Sequence, residues 1–445
     1  MFISATTALA VAALVSTASP ATNPAGQDPL PRKPALGAQF QQGTTTVQGV
    51  LPGLSAEGTL KAGDQILKMD GATVASPAEI TQALSKRVSG ETMTLLIKRD
   101  GQETEVKMLL KERPREVSPD YDVLYEHVVS NGKRIRVIIT KPKKAGKFPV
   151  FMVMQGLGAF SMDYAISGQS GPYIDFIKPF ATRDFVTLRV EKPGMGDAEG
   201  GPYNDTDFLT EGDVYLQALR HIKKQPYARA DRTFIFGHSM GGTFGPWVVS
   251  QEPVFGFIPA STIYKTWTEY WLENIRRQLL LGGASRAEVQ ERIKSTAVIH
   301  SLVMQEGVAP SEVAERYPQF KEEIAAEFPQ GDRYQGRTLG FWRQLAQLNY
   351  PALWDKVDAR TLVMWGQWDF VSTEEDHWMI RDHLNARKPG SATYVRIDNA
   401  DHGFRTTTGW QESYRSMMTG TFNNNAVKTM SDWIDQQLAD ADKQN

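Results

Sequence analysis

The spacing of apolar positions changes character three times along the chain. From Leu36 to about Leu110 the apolar residues alternate in short runs, which predicts strands over 45–50, 65–69, 93–99 and 103–109 around one helix over 77–84. Asp100-Gly101 supplies a tight turn between the last two. From Tyr121 the runs lengthen. Strands over 121–130 and 133–141 flank Asn131-Gly132, a hairpin signal, and beyond Lys147 apolar strands alternate with helices. The strands fall at 149–155, 185–191, 233–237, 255–259, 361–365 and 393–398. Helices fall within 174–182, over 213–224 and after Ser239. This alternation predicts a parallel sheet covered on both faces, with the opening hairpin as antiparallel edge strands.

Between about Thr262 and Asp358 the strand rhythm gives way to helical spacing, as in Trp267, Tyr270, Trp271 and Ile275, and again in Leu339, Trp342, Leu345 and Leu348. An insertion here, between two sheet strands, forms a cap over the carboxyl edge of the sheet or a dimerisation arm. The expected organisation is a small β-rich domain over 35–112, a charged, proline-bearing linker over 113–120, and an α/β domain over 121–445 with its cap at about 262–358. A Pro/Ala-rich lead-in over 22–34 precedes the first domain.

A length of 445 residues implies two or three domains. The formal net charge of −2 carries no basic excess of the kind a nucleic-acid surface needs. Cysteine is absent, which removes disulfides, thiolate metal sites and a cysteine nucleophile, and no metal or cofactor ligand set stands out. Residues 3–15 form an Ala-rich apolar run too short to span a bilayer, followed by Ser16-Thr17-Ala18 and Ser19-Pro20-Ala21. They read as a removable secretory signal over 1–21, with a periplasmic or secreted location and no membrane span. A disordered Ala/Ser/Thr tail is the alternative.

Candidate chemistry centres on Gly237-His238-Ser239-Met240-Gly241, where an apolar strand passes into a helix. Glycines on both sides suit a strained turn that presses strand on helix and presents Ser239 at its apex. A serine hydroxyl needs a base to take its proton, and the base needs an acid to fix its tautomer. Asp369 follows the strand ending near Trp365, and His402 follows the strand ending near Asp398, so both stand where an α/β sheet places its ligands. The order Ser, Asp, His is one known solution to that geometry. His221, His300, His377 and His383 do not follow strand ends, His238 points away from the apex, and Asp401 is too near His402 to orient it. Met240 N–H and Leu157 N–H, with Gly156 close behind, are the expected oxyanion donors. Removing one such donor costs about 3–4 kcal/mol.

These residues closely resemble the α/β-hydrolase family, among its esterases, dienelactone-hydrolase-like and serine-aminopeptidase-like enzymes. Glu191-Lys192-Pro193-Gly194-Met195-Gly196-Asp197-Ala198 extends the match, with Ala198 in place of a common serine and Gln155 in place of the usual histidine before the oxyanion glycine. The resemblance implies a serine hydrolase acting on a carboxylic ester through an acyl-enzyme, or else a serine peptidase of aminopeptidase type. Most of the ten tryptophans lie between Trp247 and Trp378, favouring a small ester with an apolar or aromatic group. Glu269 and Glu273, one helical turn apart, either bind a substrate amine or form a solvated face.

In the first domain, Leu36-Gly37-Ala38-Gln39-Phe40, Leu60-Lys61-Ala62-Gly63-Asp64-Gln65-Ile66-Leu67 and Met69-Asp70-Gly71 resemble a PDZ domain of bacterial secreted proteases. That resemblance implies capture of a peptide C-terminus on a sheet edge. A spacer, or one wall of a substrate cleft, is the alternative, and a peptide-binding scaffold with an inactive hydrolase domain is a third reading of the whole chain.

Overall fold

The structure is a computed structural model and describes residues 30–167 and 171–443. The expected signal over 1–21 and most of the lead-in lie outside the described residues. The described residues divide into two compact units, 30–117 with 163–167, and 118–162 with 171–443.

In the smaller unit β1 (Ala38–Phe40) pairs antiparallel with β2 (Val47–Val50). A second sheet has the order β4-β3-β5-β6, built from β3 (Gln65–Met69), β4 (Ala72–Thr73), β5 (Thr92–Arg99) and β6 (Gln102–Leu109). Helix α1 (Pro77–Ser85) starts at Ser76, whose side chain accepts from Glu79 N–H, with proline in its first turn. Ile66, Leu95, Ile97 and Met108 are fully buried beneath it with Ile80. Residues 113–117 of the expected linker belong to this unit, where Arg113 N–H donates to Lys33 O at 3.1 Å.

The larger unit is organised on an eight-stranded sheet of order β16-β15-β12-β11-β9-β10-β8-β7. Its strands are β7 (Tyr121–Ser130), β8 (Lys133–Pro142), β9 (Phe148–Met154), β10 (Val186–Val190), β11 (Ala228–His238), β12 (Gly256–Ala260), β15 (Arg360–Gly366) and β16 (Ala392–Ile397). From β10 to β16 every pairing is parallel, and β7 and β8 form the antiparallel edge. Asn131 (φ 48°) and Gly132 (φ 72°) close that edge hairpin with two left-handed residues, the twist such a turn requires. Helices α2 (Ile174–Ala181), α3 (Phe208–Lys223), α4 (Met240–Gln251), α11 (Glu374–Arg387) and α13 (Asn424–Asp442) belong to the same unit.

Two elements extend beyond their apolar patterns. Helix α3 starts five residues early because Asp207 caps it by accepting from Thr210 N–H at 2.8 Å. Strand β11 begins at Ala228: Ala228 and Arg229 pair with β9, and a register shift before Thr233 leaves 230–232 without β9 partners in a stretch whose charged residues hide the strand signal. Helix α13 was not expected, although Ala426, Met430 and Ile434 are buried at helical spacing.

Between β12 and β15 lie α5 (Trp267–Leu281), α6 (Arg286–His300), α7 (Pro310–Arg316), α8 (Lys321–Glu327), the hairpin β13 (Arg333–Tyr334) and β14 (Arg337–Thr338), α9 (Leu339–Ala346) and α10 (Tyr350–Trp354). A short α12 (Trp410–Ser416) follows β16. Aromatic packing fills this insertion: the Trp267 and Trp342 rings lie 4.9 Å apart, and Trp271 stacks on His300 at 5.8 Å. Trp342 is fully buried with its indole N–H on Tyr334 O at 2.8 Å. The tryptophans of the insertion are therefore mostly consumed in packing rather than spread over a pocket wall. No helix among the described residues is long and apolar enough to cross a membrane.

Trp342→Ala is expected to lower the unfolding free energy by about 3–5 kcal/mol, measured by urea unfolding. Trp378→Ala, at a position 41% exposed, should change it by less than about 1 kcal/mol.

Candidate active site

At the carboxyl end of β11 the chain turns sharply into α4, and Ser239 sits in the turn with φ 55° and ψ −123°. Strain of this kind costs roughly 1–3 kcal/mol and is sustained only when the surroundings over-determine it. The surroundings here are close contacts. A Cβ on Gly237 would lie 2.7 Å from Gly241 O, and one on Gly241 would lie 2.0 Å from Met154 O. The flanking glycines provide space, and the unusual backbone angle falls on the serine itself. Ser239 N–H donates to Ala260 O at 2.9 Å, which ties the turn to the end of β12.

Ser239, His402 and Asp369 meet at this turn. His402 Nε2 lies 3.0 Å from Ser239 Oγ, and His402 Nδ1 lies 2.9 and 3.0 Å from the two oxygens of Asp369. Asp369 is fully buried and is fixed by its own loop, accepting from Val371 N–H and Ser372 N–H at 2.8 Å and from Ser372 Oγ–H at 2.5 Å. Burial pushes this carboxyl up, but His402 and Ser372 outweigh it and hold the group below the usual carboxylate range. Helix α5 grips the same loop: Arg277 donates to Phe370 O and Val371 O at 2.7 Å, and Asn274 donates to Val371 O at 2.7 Å.

Four other histidines have partners of their own. His300 pairs with Glu327, His221 with Glu126 and His383 with Asp355, while His377 bonds Thr373 O and Thr262 N–H. Asp401 does not orient His402; its Oδ1 accepts from Gly403 N–H and Arg405 N–H, and burial pushes it up to about 6. Glu269 completes a capping box with Thr266, and Glu273 is paired with Lys265 at 2.7 Å, so neither carboxylate stands open for an amine.

The turn after β9 abuts the serine, since a Cβ on Gly156 would lie 3.3 Å from Ser239 Cβ. Gly156 N–H is already used, donating to Tyr173 Oη at 2.7 Å. Leu157 follows it in the same turn, and Met240 begins α4 directly after Ser239. Gln155, which stands in place of histidine, is buried and donates to Val190 O at 2.7 Å.

The chain of bonds then continues. Tyr173 Oη lies 3.2 Å from His238 Nδ1, and His238 Nε2 lies 2.7 Å from His402 O. All three bonds are satisfied by one proton arrangement, in which Tyr173 donates to Nδ1 and a neutral His238 donates from Nε2 to the His402 carbonyl. Burial, together with the charge of His402, pushes His238 down to about 3. His238 thus holds the backbone of His402 across the site, a long-range role that its position beside Ser239 did not suggest. Tyr173 and Ser372 were also missed, and neither carries a sequence signal beyond being polar residues in loops.

A mostly parallel sheet with Ser, Asp and His at strand ends is the architecture of α/β hydrolases. Residues 156–410 match the model of the alpha/beta hydrolase family, and the chain belongs to it; residues 34–110 match the PDZ domain. Esterase EstD of Thermotoga maritima is 18% identical over 297 residues, covering 66% of this chain and 64% of its own. An uncharacterized peptidase, YtmA of Bacillus subtilis, is 29% identical over 143 residues, 31% of this chain and 50% of its own. The chain thus spans between half and two thirds of the length of these curated relatives. Among solved structures, Est1E from Butyrivibrio proteoclasticus is 15% identical, with 71% of this chain and 99% of that chain covered and a TM-score of 0.42.

The neutral state of His238 has a thermodynamic consequence. An unfolded histidine takes up a proton near pH 6.5, about where folded His238 still refuses one. The unfolded state binds more protons as pH falls, so the stability contributed by neutral His238 is present above about pH 6.5 and is lost toward pH 3. Asp369 adds a loss of the same sign below about pH 4. His238→Gln is expected to flatten the decline between about pH 6 and pH 4 by about 1 kcal/mol per pH unit, read from urea unfolding at successive pH values. An unchanged slope contradicts a neutral His238.

Proposed function

We propose that the protein is a serine hydrolase that cleaves small carboxylic esters through an acyl-enzyme. Ser239 Oγ attacks the ester carbonyl while His402 Nε2 takes its proton, and His402 then returns that proton to the departing alcohol. Asp369 keeps the Nδ1–H tautomer and stabilises the imidazolium that forms. Water, activated by the same histidine, releases the acid and restores Ser239. Leu157 N–H and Met240 N–H hold the oxyanion of both tetrahedral intermediates. The observation that carries this reading is the continuous relay from Ser239 Oγ through His402 to a buried Asp369, each step within 3.0 Å.

Apolar residues adjoin the serine along the chain: Met240 follows Ser239, and Leu157 and Phe160, the latter 49% exposed, lie on the turn after β9 that abuts it. These neighbours favour an apolar or aromatic group on the ester. The occupied state of Glu269 and Glu273 weighs against the aminopeptidase reading, which needs a carboxylate for the substrate amine.

For the smaller unit we propose capture of a peptide C-terminus. β1 pairs only with β2 among the described residues, which leaves its other edge for an added strand. The apolar run over 3–15 supports export, with the mature protein in a periplasm or medium.

Three outcomes test these readings. The wild-type protein should hydrolyse p-nitrophenyl esters in preference to aminoacyl anilides, and Ser239→Ala or His402→Ala should lower kcat by about 10⁴-fold; anilide preference would select the peptidase instead. For the smaller unit, a fluorescent peptide with a free C-terminal carboxylate should raise anisotropy on the full chain, and its C-terminal amide should not. Mass spectrometry of protein recovered outside the cytoplasm should find the mature N-terminus near Ser19 or Thr22, and an intact Met1 would remove the signal.

A further inference from the structure

Beneath the turn that carries Leu157 lies a set of buried charges that the proton relay does not use. Lys192 is 1% exposed and Glu211 is 0% exposed, with Lys192 Nζ 3.0 Å from Glu211 Oε1. Arg337, 2% exposed on β14, pairs with the other oxygen of Glu211 at 2.8 Å. An ammonium removed from water is costly unless it is fully compensated, so its burial calls for a reason. Neutralising Glu211 is not that reason, because Arg337 already does so. The second cation is surplus, and its protons go elsewhere.

They go to the turn after β9. Lys192 Nζ donates to Gly156 O, to Gly158 O at 3.1 Å and to Tyr203 Oη at 3.2 Å. Tyr203 Oη–H donates in turn to Leu157 O, and the phenol is itself held by Arg337 at 2.6 Å. Three consecutive carbonyls, of residues 156, 157 and 158, are thereby drawn to one buried cationic cluster. In a trans peptide the C=O of one residue and the N–H of the next point in opposite directions. Holding Gly156 O toward Lys192 therefore turns Leu157 N–H away from it, and holding Leu157 O does the same for Gly158 N–H.

We propose that Lys192, Tyr203, Glu211 and Arg337 are positioning residues for the oxyanion hole: they fix the carbonyls of Gly156, Leu157 and Gly158 inward so that Leu157 N–H is aimed at the reacting oxygen before substrate arrives. The proposal rests on the serine-hydrolase reading above and assigns these four residues no contact with substrate. Because Arg337 belongs to the insertion and also donates to Thr206 O at 2.6 Å, the aim of the oxyanion donor depends on a residue of the helical segment.

The test uses the full chain and a rhodamine-tagged fluorophosphonate, whose reaction at Ser239 builds negative charge on the phosphoryl oxygen. Saturation kinetics separate the half-saturating probe concentration from the maximal labelling rate. Lys192→Met removes the ammonium. Tyr203→Phe removes only the hydroxyl and keeps the ring that Lys192 and Arg337 face at 4.9 and 4.3 Å, so it decides the matter should Lys192→Met not fold. Both variants are expected to saturate at the wild-type probe concentration but to label about ten- to hundredfold more slowly, since a misaimed oxyanion donor forfeits most of what a deleted one does. Folded variants that label at the wild-type maximal rate, or that lose only half-saturation affinity, overturn the proposal alone. Failure of the wild-type protein to label at Ser239 overturns the serine-hydrolase reading and this inference with it.

Discussion

The contact on which the site depends is the one between Gly241, at the start of α4, and the last carbonyls of β9. A methyl group at Gly241 would fall 2.0 Å from Met154 O, so helix and strand ends approach as closely as backbones can. That approach accompanies a positive φ at Ser239 in the turn from β11 into α4, and it sets the turn after β9 directly beside the serine. One packing constraint thus supplies both the raised serine and its neighbouring amides. The sheet supplies the rest, because β15 and β16 end side by side with β12 between them and β11, and their following loops deliver Asp369 and His402 to the same edge.

Around that contact the protein invests in fixed dipoles rather than in open charge. Asp369 is buried among its own loop amides, Tyr173 and a neutral His238 connect the amide of Gly156 to the carbonyl of His402, and Lys192 and Tyr203 hold the opposite face of the same turn. Each group is oriented by protein atoms, so little reorganisation is left for the moment of reaction. The helical insertion shares in this, with Arg277 on the loop of Asp369 and Arg337 on Tyr203 behind the turn after β9.

The α/β sheet and its hairpin edge were legible from apolar runs and turn residues, because buried parallel strands read as continuous Val, Ile, Phe and Met. Helix α3 was misjudged at its start, where a capping aspartate rather than an apolar face decides the boundary. The three residues Ser239, Asp369 and His402 could be singled out because strand ends and chain order constrain them. Tyr173, Lys192, Tyr203, Glu211 and Arg337 could not. They act through contacts between segments far apart in sequence, and nothing in a lone tyrosine or a buried lysine announces such a partner. The tryptophans were legible as aromatic mass in the insertion, but only packing shows that Trp267, Trp271 and Trp342 face one another.

The central claim is that Ser239 and its oxyanion donors are in place before substrate binds. A crystal structure of the fluorophosphonate adduct tests it most directly. The account predicts a phosphonyl group on Ser239 Oγ with one oxygen about 2.7–3.1 Å from both Leu157 N and Met240 N, and with the 156–158 carbonyls and the backbone angle of Ser239 as described here. An adduct whose oxygen points away from these amides, or a turn that has rearranged to meet it, would contradict it.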